Sequence, residues 1–248
     1  MSIAALRGGG GNFGVVTAFE YQLHPVSQVL GGMVLYPLEQ AAAVLRFYRD
    51  FCPTLPDEAE AYAALLTSPE GMPVAALLLG YSGPIDGKGP RACPSVRYAT
   101  RRSRSTHGLL CSPVDARRPD CRARSPSLLA IGLHRASSLI LFYLHGTGAH
   151  VPATETAFSA RRAQWDFHAI GQWAEGAQSA KHIGWVRNTW SRVESHLKGS
   201  VYINHVAADD LPEKVRASFG DNYQRLRQLK AKFDPGNLFR VNANIPPG

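Results

Sequence analysis

Gly9, Gly11 and Gly14 stand in the spacing GxGxxG inside LRGGGGNFGVVTAFEYQLHP, close to the start of a 248-residue chain. That spacing lets a backbone pass close to a phosphate. A Rossmann turn, however, needs a strand before the glycines and a helix after them, because the helix N-terminus holds the pyrophosphate. Here the sequel alternates. Val15, Thr17, Phe19, Tyr21 and Leu23 fall on one face, Glu20, Gln22 and His24 interleave with them, and Pro25 ends the run. Period two with β-branched and aromatic residues predicts a strand. No acid stands at a strand end about 20 residues on, where ribose recognition would want one; Glu39 is there, but within a helical pattern. The motif therefore reads as a glycine-rich turn feeding a strand. Such a turn either cradles an anion through its backbone N–H groups or is a tight loop without a ligand.

Other chemistry-bearing residues give weaker signals. His145 and His150, in HGTGAH, have no carboxylates close in sequence, and read as surface residues rather than metal ligands. Trp165, Trp173, Trp185 and Trp190 could line a pocket, but core packing is the simpler reading, above all for Trp190 on a helical stripe. No GxSxG nucleophile elbow occurs, and no cysteine has a convincing base partner.

The formal charge of +8 invites a nucleic-acid reading, but its distribution argues against one. Between Lys88 and Arg135 stand eleven Lys or Arg and two acids, hence +9; the rest of the chain holds 16 bases and 17 acids, hence −1. The basic segment carries three of the four cysteines, Cys93, Cys111 and Cys121, and has no Glu, Phe or Trp. No helical or strand period is found in it before about Leu128. Three readings are open: a solvated basic arm that binds phosphate or nucleic acid through residues 91–135; a zinc site from the cysteines with His107 or His134, which lacks CxxC spacing; and out-of-frame translation, which yields Arg, Pro, Ser, Cys and Ala without pattern. The last accounts best for the composition.

The remaining patterns set the fold expectation. Gly31–Tyr36 reads as a strand, Leu38–Phe51 as an amphipathic helix with Ala41, Val44, Leu45, Tyr48 and Phe51 at helical spacing, and Ala59–Leu66 with Val74–Tyr81 as a strand pair. After the basic segment come a strand at Leu139–Leu144, a loop, a strand from Trp165 towards Trp173, and a helix from Ser179 to Leu197 whose apolar stripe is Ile183, Val186, Trp190, Val193 and Leu197. Val201–Asn204 reads as a short strand. Asp210 caps a helix with Pro212 near N1 that breaks at Gly220 and resumes to Phe233, and Asp234–Asn237 is a turn. Interspersed strands and helices predict an α+β fold, an antiparallel sheet with helices on one face. No apolar run approaches the ~20 residues of a membrane span and no signal-peptide layout is present, so a cytoplasmic protein with no membrane partner is expected.

LRGGGGNFGVVTAFEYQLHPV at 6–26 and VYINHVAADD with NYQRLRQLKAKFDPGNLFRVNANIPP within 201–247 resemble the bacterial berberine-bridge-enzyme-like FAD-linked oxidases. The second block is the more specific: a Tyr-x-Asn strand, a helix, then KxKFDPxNLFxxNxNI. YSGPID and VPATETAF resemble the family too, and the likeness covers roughly 1–87 and 138–248. It fades across 88–137, where a pair of compensating frameshifts would erase it.

The resemblance implies that residues 1–26 are the last part of an FAD-binding domain, that 27–200 form the substrate domain with 88–137 atypical, and that 201–248 return to the FAD domain. FAD is the implied cofactor, with Gly9, Gly10, Gly11, Asn12 and Gly14 along it and Val16 near the adenine. Tyr202 would be the general base, with Asn204, Asn242 and Asn244 as polar contacts around it and the flavin ring. Free phenols lose their proton only near pH ~10, so such a site lowers that value or couples proton loss to hydride departure. The implied activity is oxidation of an alcohol or similar C–H centre of a small-molecule substrate, with O₂ as reoxidant. His205 and Ala160 depart from the family pattern, and the N-terminal FAD domain is not represented. The expectation is thus a portion that binds FAD weakly or not at all alone, or a partner subunit needing a separate FAD domain.

Overall fold

A computed structural model describes residues 3–23, 29–68, 70–84, 137–173, 179–197, 202–203, 212–240 and 243–248. The basic segment with its three cysteines, and residues Asn204 and Asn242, lie outside the described residues. In order the elements are α1 (Ile3–Leu6), β1 (Leu30–Pro37), α2 (Ala41–Phe51), β2 (Ala59–Thr67), β3 (Pro73–Tyr81), β4 (Ser138–Leu144), α3 (Thr147–His150), β5 (Gln164–Ile170), α4 (Ser179–Glu194), α5 (Pro212–Phe219) and α6 (Tyr223–Phe233). The architecture is α+β. None of the described helices is long and apolar enough to cross a membrane.

Backbone contacts divide the chain into two units. One comprises Met1–His24, His145–Ala163 and Leu197–Gly248; the other comprises Pro25–Leu144 and Gln164–His196. The stretch His145–Ala163, which the sequence places inside the middle segment, thus groups with the two termini.

The middle unit is built on a five-stranded sheet of order β1-β3-β2-β4-β5, antiparallel throughout. The β2–β3 hairpin closes through a turn in which the Ser68 N–H donates to the Met72 carbonyl (2.7 Å) and the Gly71 N–H to the Ser68 carbonyl (2.8 Å). Alternation puts Ala61, Ala63, Leu65, Ala75, Leu77 and Leu139 on one face, where they bury against Val44, Tyr48 and Cys52. The small alanines leave room for the large Tyr48 ring, which meets Trp165 edge-on at 5.3 Å. The Tyr48 hydroxyl lies 2.8 Å from the Ala61 carbonyl oxygen and 3.0 Å from that of Leu141, so its one proton is shared between two strands. Burial, with the Cys52 thiol beside it, holds this phenol far above its ordinary titration range, and burial pushes the Cys52 thiol up to about 12. Both groups are core residues without acid–base chemistry near neutral pH.

Three sequence expectations change. Residues 15–23 form no strand; Val15, Phe19, Tyr21 and Leu23 are all exposed. A period-two run becomes a strand only with a ladder partner, and none of the described residues pairs with it. The alternation survives as geometry, since Phe19 and Tyr21 stack at 5.6 Å on one side of the chain. Tyr202 and Ile203 are likewise outside any strand, Ile203 lying in a 3-10 turn. In α4 the inward face is rotated from the expected stripe: Thr189 is buried, Trp185 packs on the sheet core, and Ile183 and Leu197 are exposed.

Replacing Tyr48 with Phe keeps the ring and removes the shared hydroxyl bond. Urea unfolding of Tyr48→Phe is expected to show a loss of about 1 kcal/mol; an unchanged midpoint would mean that the bond to β2 and β4 carries no net stability.

Candidate functional site

In the unit formed by the termini, the glycine run follows α1 directly. φ is positive at Gly8 (91°), Gly10 (62°), Gly11 (80°) and Gly14 (152°), conformations that residues bearing a Cβ rarely adopt. Gly9 excludes a side chain for another reason: a Cβ there would sit 2.1 Å from the Ala5 carbonyl oxygen and 2.9 Å from the Phe13 ring. Glycines in these conformations leave the loop's backbone without side chains, so a ligand can approach it closely.

The loop is held from behind by Asn12, which is fully buried. Its Nδ2 donates to the carbonyls of Gly9 and Ala243, both at 2.9 Å, and its Oδ1 accepts from the Ile245 N–H at 2.8 Å. Its own N–H donates to the Gly9 carbonyl at 3.3 Å. The Asn12 amide is therefore spent in joining the glycine loop to the C-terminal tail.

Behind Asn12 lies Lys230, also fully buried. Its three N–H donors reach the Asn12 carbonyl (2.8 Å), Asp234 Oδ2 (2.5 Å) and the Phe239 carbonyl (2.6 Å). Asp234 accepts further bonds from the N–H groups of Leu238 (2.8 Å) and Phe239 (2.9 Å). The hydrogen bond from Lys230, helped by those two N–H groups, holds the Asp234 carboxyl down to about 2.

In front of the loop is a cavity of about 370 Å³ lined by Arg7, Gly8, Gly10, Phe158, Arg161, Tyr202 and Ile203. Its size falls within the range of small-molecule sites. Tyr202 is half-buried and meets Phe158 edge-on, centroids 5.6 Å apart at 83°. Arg161 lies 4.8 Å above the centre of the Phe158 ring, donating to the Gly148 carbonyl (3.2 Å) and Thr156 Oγ1 (2.9 Å). Arg161 Nε and Asn244 Oδ1 are buried with no hydrogen-bond partner among the described residues.

Of the residues singled out in the sequence, Tyr202 and Gly10 meet at one cavity. Gly9, Gly11, Asn12 and Gly14 shape the loop without lining it, and Val16 is half-exposed beside it. The sequence reading missed Arg7, Phe158 and Arg161 as site residues. An Arg161–Arg162 pair, separated from TAF by Ser159 and Ala160, was the available signal. It also missed the Lys230–Asp234 pair, whose i,i+4 spacing on a helix end is readable.

The middle unit carries a second polar group on the sheet face opposite α2. Tyr62 donates to Glu60 Oε2 at 2.6 Å, which with burial pushes its phenol up to about 12. Phe142 stands edge-on between Tyr62 (4.7 Å) and His168 (4.6 Å), and His168 Nε2 lies 3.1 Å from Asp166 Oδ2.

Residues 201–246 match the family model described as berberine and berberine like. The chain is 36% identical over 118 residues to a monolignol oxidoreductase, AtBBE-like 13, of Arabidopsis thaliana, covering 41% of this chain and 21% of that protein. It is 23% identical over 271 residues to the FAD-linked oxidoreductase YgaK of Bacillus subtilis, covering 98% of this chain and 58% of that relative. The fold is shared with the solved 6-hydroxy-D-nicotine oxidase of Arthrobacter nicotinovorans, with a TM-score of 0.68 at 19% identity over 98% of this chain and 60% of the other. The chain thus spans a little over half the length of the relatives that it matches throughout.

The Asp234 carboxyl makes the site's anchor pH-dependent. Its folded value is depressed, so its stabilisation is fully present above the unfolded carboxylate range of ~4 and is lost as pH falls towards about 2. Thermal melts of wild type and Asp234→Asn should differ at neutral pH and converge on acidification; a difference constant down to the acid limit would refute the linkage. A Gly9→Ala chain should lose about 1–3 kcal/mol from the forced contact with Ala5, readable by chemical unfolding, whereas an unchanged stability would mean the loop has slack.

Proposed function

We propose that this chain, which in sequence and fold resembles the berberine-bridge-like FAD-linked oxidoreductases, contributes the glycine loop and the proton-handling tyrosine of an FAD-dependent oxidation of an alcohol or similar C–H centre. The observation that carries the reading is that Tyr202, Gly8 and Gly10 line one cavity. The residues fit such a cofactor chemically. A positive-φ glycine backbone suits close approach of an anionic nucleotide, and Arg7 and Arg161 line the same cavity with positive charge.

FAD, when bound, supplies the hydride acceptor and the route to O₂. The chain's own residues do the rest. Gly8 and Gly10 let the backbone approach the ligand, on a loop fixed by Asn12 and Lys230. Tyr202 takes the substrate's hydroxyl proton at its Oη, its ring held edge-on by Phe158. Asn204 and Asn242 complete the polar surroundings of Tyr202 in this reading. The substrate is a small molecule, and the chain taken alone forms an incomplete site. The exposed apolar row from Val15 to Leu23, strand-like without a partner, supports the last point.

Titration of the chain with FAD, followed by flavin fluorescence, is expected to show saturable but weak binding, and the bound flavin should not bleach on addition of benzyl alcohol. No saturable binding at millimolar FAD would overturn the cofactor assignment. A flavin that co-purifies and bleaches with the alcohol would overturn the incomplete-site reading. Tyr202→Phe should leave the FAD titration unchanged, because its hydroxyl moves a proton; lost binding would reassign it to holding the cofactor.

A further inference from the structure

The cavity beside the glycine loop has a charge pattern that the oxidoreductase reading does not require. Two of its seven lining residues are arginines and none is acidic. Among the described residues neither guanidinium is paired with a carboxylate. Arg161 gives one N–H of each terminal nitrogen to the neutral acceptors Gly148 O and Thr156 Oγ1, which leaves a second N–H on each. Those two bonds, with the guanidinium carbon 4.8 Å over the Phe158 ring, hold the group in place. A planar fork held in place loses little freedom on binding an oxyanion and can meet it with two parallel N–H bonds. Arg7 adds a second cation from the opposite chain segment, immediately before the positive-φ glycines. Two uncompensated cations lining one concavity with Gly8 and Gly10 form an anion receptor in which low local dielectric strengthens each contact.

We propose that the Arg7–Arg161 cavity binds the anionic group, phosphate or carboxylate, of a small molecule. Two sources supply that chemistry: a phosphate of the nucleotide cofactor, or the carboxylate of an acidic substrate. The receptor stands on its own lining and does not require FAD, so it is tested without it.

The experiment is isothermal titration calorimetry of the 248-residue chain with inorganic pyrophosphate and with benzoate, at constant ionic strength so that general screening does not vary. At least one anion is expected to bind at a single site. Arg7→Gln and Arg161→Gln should each weaken it about tenfold or more, the usual consequence of losing a charged hydrogen-bond donor. Arg161→Gln also removes bonds to Gly148 and Thr156 and could loosen that loop. Arg7→Gln is the cleaner variant, because Arg7 is exposed and its guanidinium makes no hydrogen bond among the described residues; an unchanged melting temperature certifies its fold. Failure of both anions to bind the wild-type chain overturns the proposal, as does binding by a folded Arg7→Gln chain as tight as by wild type. FAD in competition then separates the sources. Displacement of pyrophosphate by FAD assigns the receptor to the cofactor's phosphate, and benzoate binding undiminished by saturating FAD assigns it to a substrate carboxylate. A failed FAD titration beside successful anion binding would remove the cofactor reading and leave the receptor standing.

Discussion

Everything in the unit formed by the termini depends on one buried ammonium. Lys230 brings a full charge out of water, and desolvation makes that costly unless each of its three donors finds an acceptor. Here each does. Asp234 neutralises it, and two carbonyls, from Asn12 and Phe239, take the remaining protons. The three acceptors come from the glycine loop, the end of α6 and the tail beyond it. A group that cannot be left unpaired therefore ties the end of α6 and the tail just beyond it to a loop more than 200 residues earlier in the chain. Removing either ion leaves the other buried without its partner, the situation in which such pairs become strongly destabilising.

Asn12 extends this constraint into the loop. Its carbonyl serves Lys230 while its side-chain amide serves Gly9, Ala243 and Ile245. Both faces of the residue are thereby consumed, so the glycines in front of it follow a set path. Glycine is needed there because the path is set elsewhere: the backbone at Gly10 and Gly11 takes the φ that the anchors impose, and Gly9 passes the Ala5 carbonyl too closely for a Cβ. The flexibility of glycine in the unfolded chain becomes a rigid concavity in the folded one.

The middle unit shows where sequence reading works. The hairpin of β2 and β3 and the helix α2 were legible because period two and period 3.6 are each backed by burial, with Tyr48, Val44 and Ala61 facing one core. The break at Gly220, with φ of 49°, and the turn closed by the Asn237 N–H on the Asp234 carbonyl at 3.0 Å were legible from turn chemistry. The misses share a cause: each depended on a partner that pattern alone does not supply. Residues 15–23 alternate correctly yet have no ladder neighbour among the described residues. The α4 stripe was read from hydrophobicity, whereas packing selected the face that includes Thr189 and Trp185. The cavity was half legible. Tyr202 and the glycines came from motif and resemblance, but Arg7 and Arg161 are brought together only by folding.

Summed over the chain outside residues 88–135, the formal charge is −1, which argues against a basic face. The sum is silent about a concavity. Carboxylates such as Asp234 and Asp50 are occupied by Lys230 and Arg49, and pairing removes both members of each couple from the local field. What remains at the cavity is the unpaired excess, two guanidiniums beside backbone N–H groups, and the potential that a ligand meets is set by that remainder rather than by the total. A chain close to neutral over most of its length thus still lines one cavity with two arginines and no acid.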